Sequence, residues 1–411
     1  MKRRVVITGM GAVSPIGCTI EEIRKNGLEG NCGIAPLTKE EYKEFPIHIG
    51  GEIKDLNEED YLSKRDIKFS SRFITLARIA AKKAFEDAGF SIADKRLPDT
   101  DYGVMITSAV GGADVTEAGV LSDKIGPFFI PGIIINSASS YVAMDLSAHG
   151  CCYAPVSSCA SSSHAIGEAF RKIAYGEETM ILAGGSDYPF TDKTIKGFAV
   201  MQAVYKGEDV ERGSIPFDEE RKGFVPGEGA AVLVLEEREH ALSRHATIYG
   251  EIVGYGTSCD AYHPTAPAQD GEYAAKAMEK AILDAGIKKS EIGYINAHGT
   301  GTKMNDLAES KAIEKVFPDC KKAPFVSSTK SITGHMLGAA GAMEAILCLM
   351  ALQDGILPGT VNLKKPDPEC VINLISEKKS TDTSYAMSNS FGFGGHNVSL
   401  IFGKADEAEK G

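Results

Sequence analysis

The chain repeats itself once, and that constrains its fold more than any single motif. Lys83-Ala-Phe-Glu-Asp-Ala-Gly89 returns as Lys280-Ala-Ile-Leu-Asp-Ala-Gly286, each reading as a helix end closed by a glycine. A short strand pattern follows each time, Gly103-Val-Met-Ile-Thr107 and then Gly293-Tyr-Ile-Asn-Ala297. Val156-Ser-Ser-Cys159 is echoed by Val326-Ser-Ser-Thr329. These offsets, 170 to 197 residues, are about half of a 411-residue chain. The unit is therefore a duplicated α/β module and not a solenoid repeat. Alternating strands and helices predict mainly parallel sheets with helices on both faces. Each half opens on a strand, Arg3 to Thr8 and Thr247 to Val253. The division falls at 1–245 and 246–411, with no linker composition between, so the halves are expected to pack as one body.

Composition removes several function classes. Net charge is −12, which argues against nucleic acid or an acidic membrane as a partner of the surface at large. The N-terminus enters a strand directly, with no apolar signal core, and no uncharged apolar run reaches the roughly 18 residues of a membrane span. A cytoplasmic location is expected. The charged tail after Phe402 is expected to fray. Nine cysteines, an odd number without a CxxC pair, fit neither a disulfide framework nor a zinc site. No HExxH or HxxxH pair occurs, and no metal is expected.

One cysteine stands apart. In Ala154-Pro-Val-Ser-Ser-Cys-Ala-Ser-Ser-Ser-His164 an apolar segment, read as a short buried strand, stops at Cys159. A helical apolar face then begins, with Ala165, Ile166, Ala169, Phe170, Ile173 and Ala174. The thiol thus sits at a helix N-terminus, where free N–H groups and the dipole favour thiolate and can hold an oxyanion.

Two of the nine histidines lie at glycine-marked turns after strands: His298 in Asn296-Ala-His-Gly-Thr-Gly-Thr302, and His335 in Ser327-Ser-Thr-Lys-Ser-Ile-Thr-Gly-His335. By the duplication, the strand end at Val326–Thr329 takes in the second half the place of Cys159 in the first. Two such ends facing one cleft bring Cys159, His298, Lys330 and His335 together. The other seven histidines read as structural. In Ser388-Asn-Ser-Phe-Gly-Phe-Gly-Gly-His-Asn397, Phe393 between glycines is placed to swing as a gate whose backbone adds a second oxyanion donor. Gly9-Met-Gly matches a dinucleotide fingerprint only partly, with no acidic residue at the ribose position.

Together with Pro216-Phe-Asp-x-x-Arg-x-Gly-Phe-Val-x-Gly-Glu-Gly229 and Asp260-Ala-Tyr-His263, these motifs resemble the elongating β-ketoacyl-acyl carrier protein synthases across essentially the whole chain. The resemblance implies a thiolase-like fold, two pseudo-symmetric halves in a five-layer αβαβα body. It implies acyl transfer to Cys159, then decarboxylative condensation with a malonyl thioester. His298 and His335 bind the thioester carbonyl, and Lys330 with Glu344 organises the site. Asp306 supports it. Backbone N–H groups of Cys159 and Phe393 hold the oxyanion, Thr300 and Thr302 bind the pantetheine arm, and Val110 lines the acyl pocket. No cofactor is implied beyond the phosphopantetheine of the acyl carrier protein. The partner copy is a second identical chain or a chain-length-factor-like subunit.

The alternatives differ at named positions. A thiolase needs a second cysteine in the C-terminal glycine loop, and residues 391–397 have none. The initiating condensing enzymes use an asparagine where His335 stands. A chain-length factor lacks the nucleophile. Three departures lean towards the ketosynthase subunits of type II polyketide systems, which is the runner-up. Residues 113–127 form a shorter segment without a basic loop, Ser214-Ile-Pro216 replaces Ser-Arg-Pro, and Gly184-Gly-Ser-Asp-Tyr-Pro189 and Thr302-Lys-Met-Asn-Asp306 look polyketide-like. Lys64, Arg65, Lys68 and Arg72 fall on one face of an expected helix and form a candidate docking patch for an acidic carrier protein.

Overall fold

The computed structural model describes residues 2–122, 125–319 and 323–405. Cys320 and the tail from residue 406 lie outside the described residues. Nine strands form one continuous sheet: β1 (Val5–Val13), β2 (Gly103–Thr107), β3 (Met180–Asp187), β4 (Gly229–Glu237), β5 (Gly250–Cys259), β6 (Ile292–Asn296), β7 (Phe325–Ser327), β8 (Tyr385–Gly392) and β9 (His396–Gly403). Their spatial order is β2-β3-β4-β1-β5-β9-β8-β6-β7. The two halves meet at the centre, where β1 and β5 pair antiparallel through Val5–Ile252, Val6–Glu251 and Ile7–Gly250.

Outward from that seam the order repeats: β1-β4-β3-β2 on one side, β5-β9-β8-β6-β7 on the other. The duplication read from sequence is thus a duplication of topology. The segment before Cys159 (154–158), expected as a short buried strand, forms none; the counterpart of β7 in the first half is the run just before it, through Cys152. It makes only an isolated parallel bridge, Cys152 to Val104, and is largely exposed. It lies at the open edge of the sheet, with nothing among the described residues to pair its far side.

Expectation and structure differ on strand direction. Of eight neighbour pairs in the sheet, β2–β3, β6–β8 and β6–β7 are parallel and the other five antiparallel. Helical crossovers do enforce parallel pairing, but the chain returns to β4 through a long excursion (residues 188–228) and to β9 through a hairpin. Neither is a helical crossover.

Helices complete five layers. Helix α1 (Arg72–Asp87) and α2 (Ser137–Leu146) cover the outer face of the first-half strands. Helix α3 (Ser161–Ala174) and α6 (Ala340–Asp354) fill the middle. Helix α4 (Glu272–Ala285) and α5 (Lys303–Val316) cover the far side. Strands covered on both faces lose the apolar/polar alternation. In β3, Met180 and Leu182 face α1 and α2 while Ile181 and Ala183 face the middle layer. Helix α6 is buried on all sides through Leu352, which is why its sequence shows no polar stripe. With the turn before it, it makes the 337–354 stretch, 18 residues long and apolar enough to cross a membrane, yet 89% buried. It is the core of the protein.

Two glycine pairs set the distance between strand and outer helix. A Cβ on Gly9 would lie 2.3 Å from the Ala84 carbonyl oxygen, and one on Gly254 would lie 2.3 Å from that of Ala281. Gly11 and Gly256 stand likewise against Ala80 and Ala277. The glycines that resembled half of a dinucleotide fingerprint therefore seat α1 on β1, and their repeats seat α4 on β5.

Candidate active site

Cys159 lies on a tight turn, Ser158–Ala160, leading into α3. Ser158 has φ +54°, a left-handed conformation that costs a side-chain-bearing residue about 1–3 kcal/mol unless the surroundings impose it. Here Ser161 does so: its hydroxyl accepts from the Ser157 N–H at 2.8 Å and donates to the Ser158 carbonyl at 2.7 Å. The glycine-rich hairpin between β8 and β9 closes over the same turn. A Cβ on Gly392 would stand 2.5 Å from the Ser157 carbonyl oxygen, so only glycine permits that approach.

His298 follows β6 and is 2% exposed. Its backbone is held from below by Glu309 of α5, whose carboxylate accepts from the His298 and Gly299 N–H groups at 2.8 and 2.7 Å. His335 follows the short helix Lys330–Thr333, its N–H donating to the Val225 carbonyl at 2.7 Å. The two imidazoles meet edge to face, centroids 5.4 Å apart. His335 Nε2 lies 3.2 Å from Cys159 Sγ. Lys330, 1% exposed, sends Nζ to the Glu344 carboxylate and to within 3.3 Å of His298 Nδ1. An ammonium has only donors, so Nδ1 accepts and the His298 ring proton sits on Nε2.

Electrostatics overturn one expectation. The helix start was expected to favour thiolate, yet burial pushes the Cys159 thiol up to about 12. The Lys330 charge and the backbone N–H groups of Phe393 and Cys159 pull the other way and are outweighed. Helix-end effects are legible locally, whereas desolvation depends on everything packed around the sulfur. Burial, with the Lys330 charge beside them, holds both imidazoles well below the usual histidine range. Burial lifts Glu344 to about 7 against the pull of Lys330. The site at rest is a thiol beside two neutral imidazoles.

A cavity of about 420 Å³ opens from Cys159, His298 and His335 to the surface. Thr300 and Thr302 line it, their hydroxyls 2.9 Å apart, and so does Phe393. Asp306 lies behind the wall, accepting from the Phe217 and Gly301 N–H groups and pairing with Arg221. Val110 does not line this cavity. It is half-buried against the apolar cluster that includes Phe224 and Leu337, which do line the cavity, and its N–H donates to Asp187.

The docking patch divides. Lys64, Arg65 and Lys68 are exposed on the short helix Lys64–Lys68. Arg72 belongs to α1, beyond a break at residues 69–71, and its guanidinium is spent on Glu228 and Glu58. The expected single helix face is interrupted where Phe69 and the Ser70-Ser71 pair end one helix and begin another. Ile215, read as a lost basic contact, is 1% exposed, so a charge there would not face a carrier.

Sequence reasoning passed over three groups. Glu309 and Asp187 are buried carboxylates that hold site loops. Asp187 accepts from Ser108, Ala109, Val110 and Gly338, and burial lifts it to about 6. Phe224 packs edge-on to His335, centroids 5.2 Å apart, and to Phe198. Lone acidic or aromatic residues inside regular elements carry no pattern that marks them. Only the glycines beside Phe224 gave a signal.

The comparisons with known proteins agree with this geometry. The family described as beta-ketoacyl synthase matches through its N-terminal domain at residues 2–241 and its C-terminal domain at residues 249–364. A 3-oxoacyl-(acyl-carrier-protein) synthase 2 of Staphylococcus aureus is 43% identical over 409 residues, covering 98% of each chain. The protein of the same name from Synechocystis is 42% identical over 411 residues, again covering 98% of each. A beta-ketoacyl synthase from Burkholderia phymatum superposes with a TM-score of 0.89 at 34% identity, over 98% of this chain and 100% of its own. A type II polyketide ketosynthase solved with its acyl-carrier protein gives 0.89 at 30%, over 98% of this chain and 100% of its own. With both domains matched along its length, and a cysteine and two histidines converging on one cavity with a lysine behind them, the chain belongs to the β-ketoacyl synthase family, in the thiolase-like fold.

Proposed function

We propose that Cys159, His298, His335 and Lys330 carry out a two-stage condensation on thioesters delivered by an acyl carrier protein. The carrying observation is the 3.2 Å contact between His335 Nε2 and the Cys159 thiol at the inner end of the cavity. In the first stage Sγ attacks the acyl thioester carbonyl while its proton passes to His335. The tetrahedral oxyanion forms against the N–H groups of Cys159 and Phe393. The carbon–sulfur bond to the arm then breaks, and the departing thiolate takes the proton back from His335.

In the second stage a malonyl thioester enters. Its carbonyl oxygen accepts from His298 Nε2–H as the carbon–carboxylate bond breaks and carbon dioxide leaves, with the His335 ring packed edge to face against that donor. Negative charge then builds on that oxygen. A neutral N–H donor stabilises it without giving up its proton, which is why imidazoles held neutral by burial suit the step. The resulting carbanion attacks the acyl-cysteine, a carbon–carbon bond forms, and Cys159 leaves as thiolate and is reprotonated. The product is longer by two carbons.

Lys330 acts through His298, fixing its tautomer, and Glu344 compensates the buried ammonium. Thr300 and Thr302 line the route the pantetheine arm takes. Lys64, Arg65 and Lys68 are the exposed basic group for an acidic carrier. The elongating fatty-acid reading stands ahead of the type II polyketide one because relatives of the former are 42–43% identical and structural neighbours of the latter 30–33%. The open edge at Tyr153–Val156, in a half of the chain that also exposes Met144, Val120 and Leu121, is the face for a second copy of this chain.

Intact mass spectrometry after mixing with an acyl-carrier thioester tests the assignment. One acyl adduct per chain is expected, absent in Cys159→Ala. An adduct that persists in that variant sinks the nucleophile.

A further inference from the structure

The cavity ends outward on a rim built from two backbone runs, 221–223 and 301–303. The Gly223 N–H donates to the Gly301 carbonyl at 3.1 Å, and Arg221 Nη2 donates to the Lys303 carbonyl at 3.3 Å. Arg221 is 1% exposed. Its guanidinium is taken up by Asp306, Asp367 and the carbonyls of Asp218, Thr302 and Lys303, so it shapes the rim and presents no donor to the opening.

Lys222 and Lys303 stand next to it on the two runs. Both line the cavity and both are exposed. Neither forms a salt bridge among the described residues, and the nearby carboxylates are engaged elsewhere. Glu219 pairs with Lys365, Glu220 with Arg212, and Asp306 and Asp367 with Arg221; Asp367 also feels the Lys303 charge. Asp260, which lines the cavity too, has its oxygens occupied by the Ala268 N–H and the Asn397 amide. A chain of net charge −12 therefore carries, at the mouth leading to its nucleophile, two lysines without a salt bridge among the described residues. Cations on the wall of a low-dielectric cleft concentrate anions there.

A ligand of this cavity needs a thioester at one end and an anion at the other. We propose that Lys222 and Lys303 form a seat for the phosphoryl group at the outer end of the pantetheine arm. The proposal rests on the carrier-thioester reading above and deepens it. Two compact ammonium groups suit a phosphodiester, whose charge is spread over two oxygens. The arm's phosphate, once seated, fixes the register at which the thioester meets Sγ.

The test measures single-turnover acylation of Cys159 by intact mass from four donors carrying the same acyl chain: pantetheine, phosphopantetheine, coenzyme A and the carrier protein. The wild type is expected to take the acyl group from phosphopantetheine about tenfold faster than from pantetheine. In the Lys222→Gln/Lys303→Gln variant that ratio falls to near one, transfer from the carrier falls by the same factor, and the Lys→Arg pair restores both. An unchanged ratio overturns the seat, as does an equal loss with all four donors. A loss confined to coenzyme A overturns its assignment to the carrier's arm. Failure of the underlying reading looks different, since wild-type Cys159 then takes no acyl group from any donor.

Discussion

At the scale of single residues, the protonation states decide what the site does. Because burial holds the Cys159 thiol up towards 12, the thiolate fraction keeps rising long after an ordinary cysteine is ionised. Alkylation of Cys159 by iodoacetamide should climb about tenfold per pH unit from roughly pH 7 to 10, with no plateau near the usual thiol value. A plateau near pH 7 would mean that the helix N-terminus wins after all. The histidines carry the opposite sign. Held well below the usual range, they stay neutral as pH falls towards 6, so malonyl decarboxylation should not lose rate there through their titration. His298→Ala should separate the stages. Acylation of Cys159 persists, while carbon dioxide release from the malonyl thioester falls about 10²–10³-fold, followed with a labelled carboxylate. Cys159, His298, Lys330 and His335 were legible because each stands in a turn or strand-end motif. Glu309 and Asp187 were not, because a carboxylate's use as a backbone clamp depends on which loops come within its reach.

At the scale of elements, local pattern gave helices and strand ends well and their continuity poorly. Lys64, Arg65, Lys68 and Arg72 share a face only if one helix runs through Phe69-Ser70-Ser71, and it does not. The segment before Cys159 has the apolar character of a strand, but a strand needs a neighbour on each side or an edge that pairs, and Cys152 finds one bridge. The glycine pairs are the converse case. Gly9 and Gly11 read in the sequence only as part of a dinucleotide fingerprint, and Gly254 and Gly256 went unread, because their use, close approach of α1 and α4 to the sheet, belongs to packing. Gly254→Ala should therefore destabilise by about 1–3 kcal/mol through overpacking against Ala281 and Ala285, seen as a lower denaturant midpoint. Gly286→Ala meets no atom within 4 Å but has φ +67°, so its cost is a backbone one of about 1 kcal/mol.

At the scale of the whole molecule, the second copy proposed above would cover Met144 (67% exposed) and Val156 (51%). Met144→Asp with Val156→Asp should convert a dimer to monomers in sedimentation velocity, and a sedimentation coefficient identical to wild type would remove this face from the interface. The sequence by itself determined the duplication and the turns that carry Cys159, His298, Lys330 and His335. Each of these is written in repeats and turns that are local in the chain. Tertiary structure alone decided the mainly antiparallel order, the desolvation that raises the Cys159 thiol, the loss of Arg72 from the basic patch and the two lysines that have no salt bridge among the described residues at the mouth. Those depend on desolvation and on which charges come to face one another, and both are sums over residues far apart in the chain.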